Sequence, residues 1–170
     1  MKTLFTLDSG VYDESIEVVR RPSARGIVIK DGKVAMIHSK KYDYYKFPGG
    51  GIEADETPLE AMIREVKEES GLVVIPESIR EFGNVHRRSK TELGGLFIQD
   101  NLYYVCSCED GTGERRLDDY ESDEGFTLEF VKPEAAIEKN RNGNYDLMPL
   151  MLEREARVLL LLIERGYFNS

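Results

Sequence analysis

Apolar and polar positions along the chain predict a series of short strands with three helices among them. Two apolar runs, at 26–30 and 34–38, flank Asp31-Gly32, a pair typical of a tight β-hairpin because glycine accepts a positive φ. Further strands are predicted near 72–75, 79–86, 96–107 and 126–131, and helices near 58–70, 133–139 and 149–165. This irregular mixture of strands and helices predicts an α/β/α sandwich with a mixed central sheet.

The helix predicted over 58–70 has clear start and stop signals in the local sequence. Thr57 can cap its N-terminus, Pro58 suits the first helical position, and Glu60 completes a capping box. Gly71 suits a left-handed cap at the C-terminus.

Two neighbouring faces of this helix carry different side chains. An apolar stripe that should dock on the sheet is formed by Leu59, Met62, Ile63 and Val66. Glu65, Glu68 and Glu69 share the next face, so we expect them on the shoulder of the helix, close to the sheet. A solvated acidic face steadied by Arg64 is one interpretation. The glycine run 49–51, which lets backbone approach a ligand closely, favours the other: a site for Mg²⁺ or Mn²⁺, which prefer oxygen ligands.

Length and charge narrow the class of protein. The chain has 170 residues and a formal net charge of −9, which predicts a single domain over 1–170 and argues against binding a nucleic acid polymer. The N-terminal stretch lacks an apolar signal core, and the longest apolar run, 158–163, is too short to span a bilayer. We therefore expect a cytoplasmic protein with no membrane partner.

The spacing of residues from Gly50 to Leu72 resembles a known family signature. This stretch, GGIEADETPLEAMIREVKEESGL, is similar to the Nudix box, G-x5-E-x7-R-E-U-x-E-E-x-G-U, where U is a bulky aliphatic residue. All of its fixed positions are filled, by Gly50, Glu56, Arg64, Glu65, Val66, Glu68, Glu69, Gly71 and Leu72. The flanking order of strands and helices is compatible with the same family.

The resemblance implies the Nudix fold and hydrolysis of a diphosphate linkage in a nucleoside diphosphate derivative, with Mg²⁺ or Mn²⁺ as cofactor. It implies that the metal ligands are Glu65, Glu68, Glu69 and the carbonyl of Gly49. It also implies that Arg64 holds the glutamates in position and that Glu56 braces Arg64 from the loop. A non-catalytic nucleotide sensor on the same fold is the alternative, and the complete set of glutamates favours the enzyme.

The resemblance leaves open which carboxylate takes the proton from the attacking water. In related enzymes this general base is a glutamate of the box, here Glu65, or one from a later loop. Residues 109–124 form an acidic loop ahead of a predicted strand. Within it Glu124 is our first candidate for a catalytic or metal-binding glutamate, and Glu121 is the second.

The sequence indicates the substrate-binding residues less clearly than the metal ligands. Tyr45, with its neighbours Tyr42 and Tyr44, could stack on a nucleobase, although tyrosines that alternate into a strand are more often half-buried packing. The backbone of Gly50 and Gly51 could approach the substrate closely. Side chains that could meet phosphate, or could be plain surface charges, are Arg25, Arg87, Arg88 and Lys90.

The C-terminal helix is apolar on all sides from Val158 to Ile163. A helix of this kind is buried on several sides. It can lie between the sheet and the N-terminal segment, or it can form a homodimer contact.

Overall fold

The computed structural model describes residues 1–143 and 148–169. In these ranges the strands are β1 (Thr3–Asp8), β2 (Val18–Arg20), β3 (Ser23–Ile27), β4 (Ile29–Lys30), β5 (Lys33–Ser39), β6 (Tyr44–Lys46), β7 (Gly49–Gly51), β8 (Arg80–Lys90), β9 (Leu96–Val105) and β10 (Phe126–Val131). The helices are α1 (Pro58–Ser70), α2 (Asp119–Glu124), α3 (Pro133–Asn142) and α4 (Pro149–Glu164), with a short 3-10 turn at Pro76–Ser78.

The strands form two sheets flanked by helices, as predicted for the fold class. The first sheet has the order β1-β8-β9-β3-β7, and β2 also pairs with β9. It is mixed: β1 runs parallel to β8, and β2 and β3 run parallel to β9, whereas β8 is antiparallel to β9 and β7 is antiparallel to β3. The second sheet is antiparallel, with the order β10-β5-β4 and with β6 beside β5.

The predicted hairpin at Asp31-Gly32 is confirmed. Ile29 pairs with Val34, and the two turn residues have φ angles of 52° and 68°. The predicted strand 26–30 is divided, however. Its first residues belong to β3 in the first sheet and its last two to β4 in the second, so the chain passes between sheets at Val28.

Helix α1 begins and ends where the local signals predict. The Thr57–Glu60 capping box is present in both directions, and Gly71 has a φ of 76° as the C-terminal cap. The residues that the helix buries are Ala61, Met62, Val66, Glu69 and Ser70. The prediction that Leu59 docks on the sheet was wrong, because its side chain lies on the first turn and is 42% exposed.

Separate apolar cores lie on the two sides of the first sheet. Met62 and Val66 of α1 pack with residues such as Ala24 on one side. On the other, Leu159 and Leu162 of α4 pack with side chains of β1, β3 and β8. Helix α4 thus packs on the first sheet, and the N-terminal segment is the edge strand β1 of that same sheet and not a separate layer. The prediction that α4 lies between the sheet and the N-terminal segment was therefore wrong, while the homodimer stays a prediction.

Two further segments differ from the sequence predictions. The predicted strand 72–75 is reduced to an isolated bridge between Val74 and Cys108. The acidic loop contains α2, which the sequence prediction missed, although its capping box from Asp118 to Glu121 and Gly125 at its end are local helix signals. No helix in the described part of the chain is long and apolar enough to cross a membrane.

Candidate active site

Arg64 connects the loop before α1 to the acidic face of the helix. Its Nε donates to Glu56 Oε2 at 3.0 Å, and its Nη1 donates to Glu65 Oε1 at 2.7 Å and to Glu68 Oε2 at 3.2 Å. Its Nη2 donates to the carbonyl of Gly51 at 3.2 Å. The hydrogen bond from Arg64 lowers the pKa of Glu56. One guanidinium group thus fixes both the loop and two carboxylates, which are the contacts that the resemblance implied.

Glu65 lies directly against the backbone of Gly50. A Cβ at Gly50 would come within 2.5 Å of the Glu65 carboxylate, so a larger residue would displace it. Burial raises the pKa of Glu65, although the hydrogen bond from Arg64 acts in the opposite direction. A nearby cation would offset this burial, because it favours the charged form.

Glu69 is the most deeply buried carboxylate of α1, with 1% of its surface exposed. Lys46 Nζ donates to its Oε1 at 2.6 Å, and the backbone N–H of Gly49 donates to its Oε2 at 3.0 Å. Lys46 is itself buried and lies 4.5 Å from the centre of the Phe126 ring. The sequence analysis missed Lys46, because its contact with Glu69 joins distant parts of the chain.

The two candidate glutamates of α2 point to different places. Glu121 is 4% exposed, and burial raises its pKa, which the neighbouring carboxylate of Glu69 raises further. Glu124 instead accepts hydrogen bonds from Ser39 Oγ and Tyr44 Oη, both at 2.9 Å. The structure therefore brings Glu121 to the carboxylates of α1, whereas the contacts of Glu124 attach α2 to the second sheet.

The segment from Phe47 to Gly49 is held from both sides of the first sheet. Glu155 of α4 accepts from the N–H of Phe47 at 2.7 Å, while Glu69 of α1 accepts from the N–H of Gly49. Arg25 Nη1 donates to the carbonyls of Phe47 and Gly49 at 3.2 Å and 3.3 Å. Gly49 has a φ of 143°, and a Cβ there would lie 2.3 Å from the carbonyl of Ala24. A glycine is required at this position by the close approach of β3.

The tyrosines before this segment make contacts within the protein. The ring of Tyr45 stacks on His38 at 4.7 Å between centroids, and its hydroxyl donates to Glu129 Oε2 at 2.7 Å. Tyr44 is buried, whereas Tyr42 is 38% exposed. Base stacking by Tyr45 stays a prediction, and the half-buried packing considered as its alternative describes the contacts that are present.

The donor chemistry of the site fits a hard divalent cation. Carboxylates lie near Gly49 and Gly50, together with the cationic side chains of Arg25 and Lys46, and the Glu65 carboxylate fits against Gly50 because residue 50 lacks a Cβ. Over residues 1–143 and 148–169, no three His, Cys, Asp or Glu side chains are arranged around one point as metal ligands. Glu65 and Glu68 are turned towards Arg64, and Glu69 towards Lys46. The carbonyl of Gly49, the fourth expected ligand, accepts from Arg25.

Comparison with known families identifies the family of this chain. The NUDIX domain model matches residues 20–151, which is well over half of the chain. The chain therefore belongs to the Nudix family.

Two of the curated proteins that this chain resembles are RNA pyrophosphohydrolases. The RNA pyrophosphohydrolase of Xylella fastidiosa (strain 9a5c) is 45% identical over 126 residues, which are 73% of this chain and 58% of that protein. That of Stenotrophomonas maltophilia (strain K279a) is 39% identical over 88 residues, 51% of this chain and 41% of that protein. The match thus spans about half the length of these relatives.

Solved structures show the same fold at low sequence identity. A NUDIX hydrolase from Nitrosomonas europaea has a TM-score of 0.58 and 14% identity, covering 82% of this chain and 89% of that one. A MutT structure, from work on the Aliivibrio salmonicida and Vibrio cholerae proteins, has a TM-score of 0.55 and 21% identity, covering 86% and 98%. At these identities the likeness supports the α/β/α architecture alone.

Proposed function

We propose that this protein is a metal-dependent hydrolase that cleaves a diphosphate linkage in a nucleoside diphosphate derivative. The observation that carries the proposal is the grouping of Glu65 and Glu69 of α1 with Glu121 of α2 beside Gly49 and Gly50. Membership of the Nudix family supports the same reaction. In this proposal, residues 1–170 act as a single domain.

The residues that would hold Mg²⁺ or Mn²⁺ are Glu65, Glu68, Glu69 and Glu121, with the carbonyl of Gly49. A bound divalent cation neutralises the charge of a diphosphate and lowers the pKa of a water molecule. Arg64 keeps Glu65 and Glu68 beside the glycines by its hydrogen bonds, and Glu56 fixes Arg64. No atom lies within 4 Å of the position that a Cβ would take at Gly51, which leaves room for the diphosphate there, whereas the space at Gly50 is taken by the Glu65 carboxylate.

A carboxylate of the site would take the proton from the attacking water. Before a cation binds, burial raises the pKa of both Glu121 and Glu65, and a carboxylate with a raised pKa is a better proton acceptor than an ordinary one. We favour Glu121 over Glu65, because the donor to Glu65 is the cationic guanidinium of Arg64, whereas the donors to Glu121, the Asp118 N–H and the Tyr120 hydroxyl, are neutral. Glu124, the first candidate from the sequence, is turned towards Ser39 and Tyr44.

Two kinds of substrate fit this reaction. A net charge of −9 favours a small nucleotide over a polymer, since no general excess of positive charge attracts a phosphate backbone. The names of the Xylella and Stenotrophomonas relatives favour the triphosphate at the 5′ end of an RNA. Both substrates present a chain of phosphates attached to a nucleoside, so the same carboxylates would serve either.

A panel assay with Mg²⁺ tests the proposal and separates these substrates. The panel contains nucleoside triphosphates, nucleotide sugars, dinucleoside polyphosphates and a short RNA with a 5′-triphosphate, and the release of phosphate, pyrophosphate and nucleoside monophosphate is measured. We expect turnover of at least one compound, abolished by a chelator. Binding of several compounds without turnover of any would contradict the proposal and favour the nucleotide sensor.

A further inference from the structure

Three arginines meet on the face of the first sheet that is turned away from α1. Arg25 of β3 is 7% exposed and Arg154 of α4 is 1% exposed, whereas Arg87 of β8 is only partly buried. Arg25 faces this side because its neighbours Ala24 and Gly26 face the helix α1. The three guanidinium groups come from three distant segments, so the cluster exists only in the folded chain.

Among the described residues, too few carboxylates lie beside these three arginines to balance their positive charge. Glu155 is the carboxylate in contact with it, through Arg154 at 2.7 Å. Arg154 Nη1 donates instead to the neutral Asn101, at 2.6 Å. Three positive charges and one negative charge leave an excess of two, and an unbalanced buried charge is costly.

Several donors of the cluster lack an acceptor. The Nε of Arg25 and the Nε of Arg87 are buried and have no hydrogen-bond partner among the described residues. In the described ranges the side chain of Arg87 makes no hydrogen bond or ion pair, and its guanidinium lies 5.5 Å from the centre of the Phe97 ring. Burial and repulsion from Arg154 and Arg25 lower the pKa of Arg87. All of these features favour the binding of an anion at this cluster.

We propose that Arg25, Arg87 and Arg154 form a binding site for a phosphate group on the sheet face opposite α1. A phosphate dianion would balance the excess of two positive charges, and the planar donors of guanidinium groups match its oxygens. The unpartnered Nε atoms of Arg25 and Arg87 would supply hydrogen bonds to it. Arg87 is partly exposed, so the anion can reach the cluster from solvent.

The proposed phosphate site is connected to the carboxylate site by one peptide segment. Arg25 Nη1 donates to the carbonyl of Gly49, whose N–H donates to Glu69 at 3.0 Å. Since β7 is the edge strand of the first sheet, a substrate with several phosphates could reach around this edge to both sites. The anion is therefore either a further phosphate of the substrate, which rests on the proposed function, or free inorganic phosphate, which does not.

Thermal melts without metal or substrate test the site independently of hydrolysis. Inorganic phosphate should raise the melting temperature of the wild type by several degrees relative to chloride at equal ionic strength. Arg87→Gln should lose this rise, and in chloride it should be at least as stable as the wild type, because repulsion with Arg25 and Arg154 is relieved. Arg88→Gln is the matched control, since Arg88 is the next residue of β8 and pairs with Glu14.

Titration calorimetry with inorganic phosphate supplies a second readout on the same proteins. Arg87→Gln should bind phosphate about tenfold more weakly than the wild type, the loss expected for one charge-assisted contact. Arg88→Gln should bind it as the wild type does. Equal binding or equal stabilisation in all three proteins, or none in any, would overturn the proposal.

Kinetics at constant free Mg²⁺ then identify the source of the anion. If the site takes a phosphate of the substrate, Arg87→Gln should raise KM about tenfold, and competitive inhibition by inorganic phosphate should weaken in the same variant. If it takes free phosphate, KM should be unchanged and the wild type should bind phosphate and substrate together. Either kinetic result is compatible with the phosphate site, and the thermal melts test the site whichever of the two is found.

Discussion

Lys46 and Glu69 form an ion pair that the residue types alone do not reveal. Both side chains are buried, and Glu69 also accepts from the N–H of Gly49. A carboxylate with these partners is fixed in place before any cation binds. The ammonium group of Lys46 also stabilises the charged form of Glu69, as a bound divalent cation would.

Replacing Lys46 should destabilise the folded protein. Lys46→Gln leaves Glu69 buried without its ionic partner, and we expect the free energy of unfolding to fall by about 3–5 kcal/mol. Lys67→Gln, on the exposed side of the same helix, should change it by less than about 0.5 kcal/mol. Urea unfolding at neutral pH measures both, and equal effects would show that the pair is not a significant source of stability.

Glu155 gives a prediction that depends on pH. Burial alone would raise the pKa of Glu155, but attraction by Arg154 and Arg25 outweighs it and holds the pKa below its ordinary value. A carboxyl group whose pKa is lower in the folded state than in the unfolded state stabilises the protein at pH values above its unfolded-state pKa of about 4.3. This stabilisation is lost as the pH falls through the folded-state pKa.

Glu155→Gln should therefore be less stable than the wild type at pH 7, by about 3–5 kcal/mol. The difference should shrink as the pH is lowered from 5 towards 3, because the wild-type carboxyl then becomes neutral as well. Urea unfolding at several pH values follows this difference. A gap that stays constant over the whole range would contradict the assigned charge interaction.

At the scale of elements, the two glutamates of α2 contact different parts of the protein. Glu124 accepts from Ser39 and Tyr44 of the second sheet, whereas Glu121 is buried near Glu69. We expect Glu121→Gln to lower kcat by about 10²–10⁴, the usual worth of general acid–base catalysis.

Glu124→Gln should act mainly on stability. Loss of a carboxylate that accepts two hydrogen bonds should cost about 1–3 kcal/mol, with a much smaller effect on kcat than that of Glu121→Gln. Thermal melts and steady-state kinetics on both variants compare them directly. If Glu124→Gln lowered kcat more and left stability unchanged, the order of candidates taken from the sequence would be correct instead.

Elements with local signals could be predicted from the sequence, and those that depend on distant partners could not. Helix α1 matches its prediction at both ends because its caps, Thr57 and Gly71, lie next to it. Strand β1 has no such signal, since it pairs parallel with β8, far along the chain. The spacing of the box predicted which glutamates share a face, whereas the positions of Lys46 and Glu121 follow from tertiary contacts alone.

At the scale of the whole molecule, helices on opposite sides of the first sheet hold the same backbone segment. Glu155 of α4 accepts from the N–H of Phe47, and Glu69 of α1 accepts from that of Gly49. The segment from Phe47 to Gly49 is therefore held by hydrogen bonds from both sides of the first sheet. This explains how a short segment that contains glycine can keep a defined position beside the carboxylates.

Metal binding by the acidic face of α1 is the central claim, and titration calorimetry with Mn²⁺ near neutral pH tests it without any choice of substrate. Glu68→Gln is the best variant, because Glu68 is half-buried and its recorded side-chain partner is Arg64, whereas changing Glu69 would leave Lys46 unpaired. The control is Glu92→Gln, an exposed loop position. We predict that the wild type and Glu92→Gln bind Mn²⁺ equally and that Glu68→Gln binds it at least about 100-fold more weakly, beyond the loss typical of a residue that only orients a ligand. Equal Mn²⁺ affinity in all three proteins would contradict the claim.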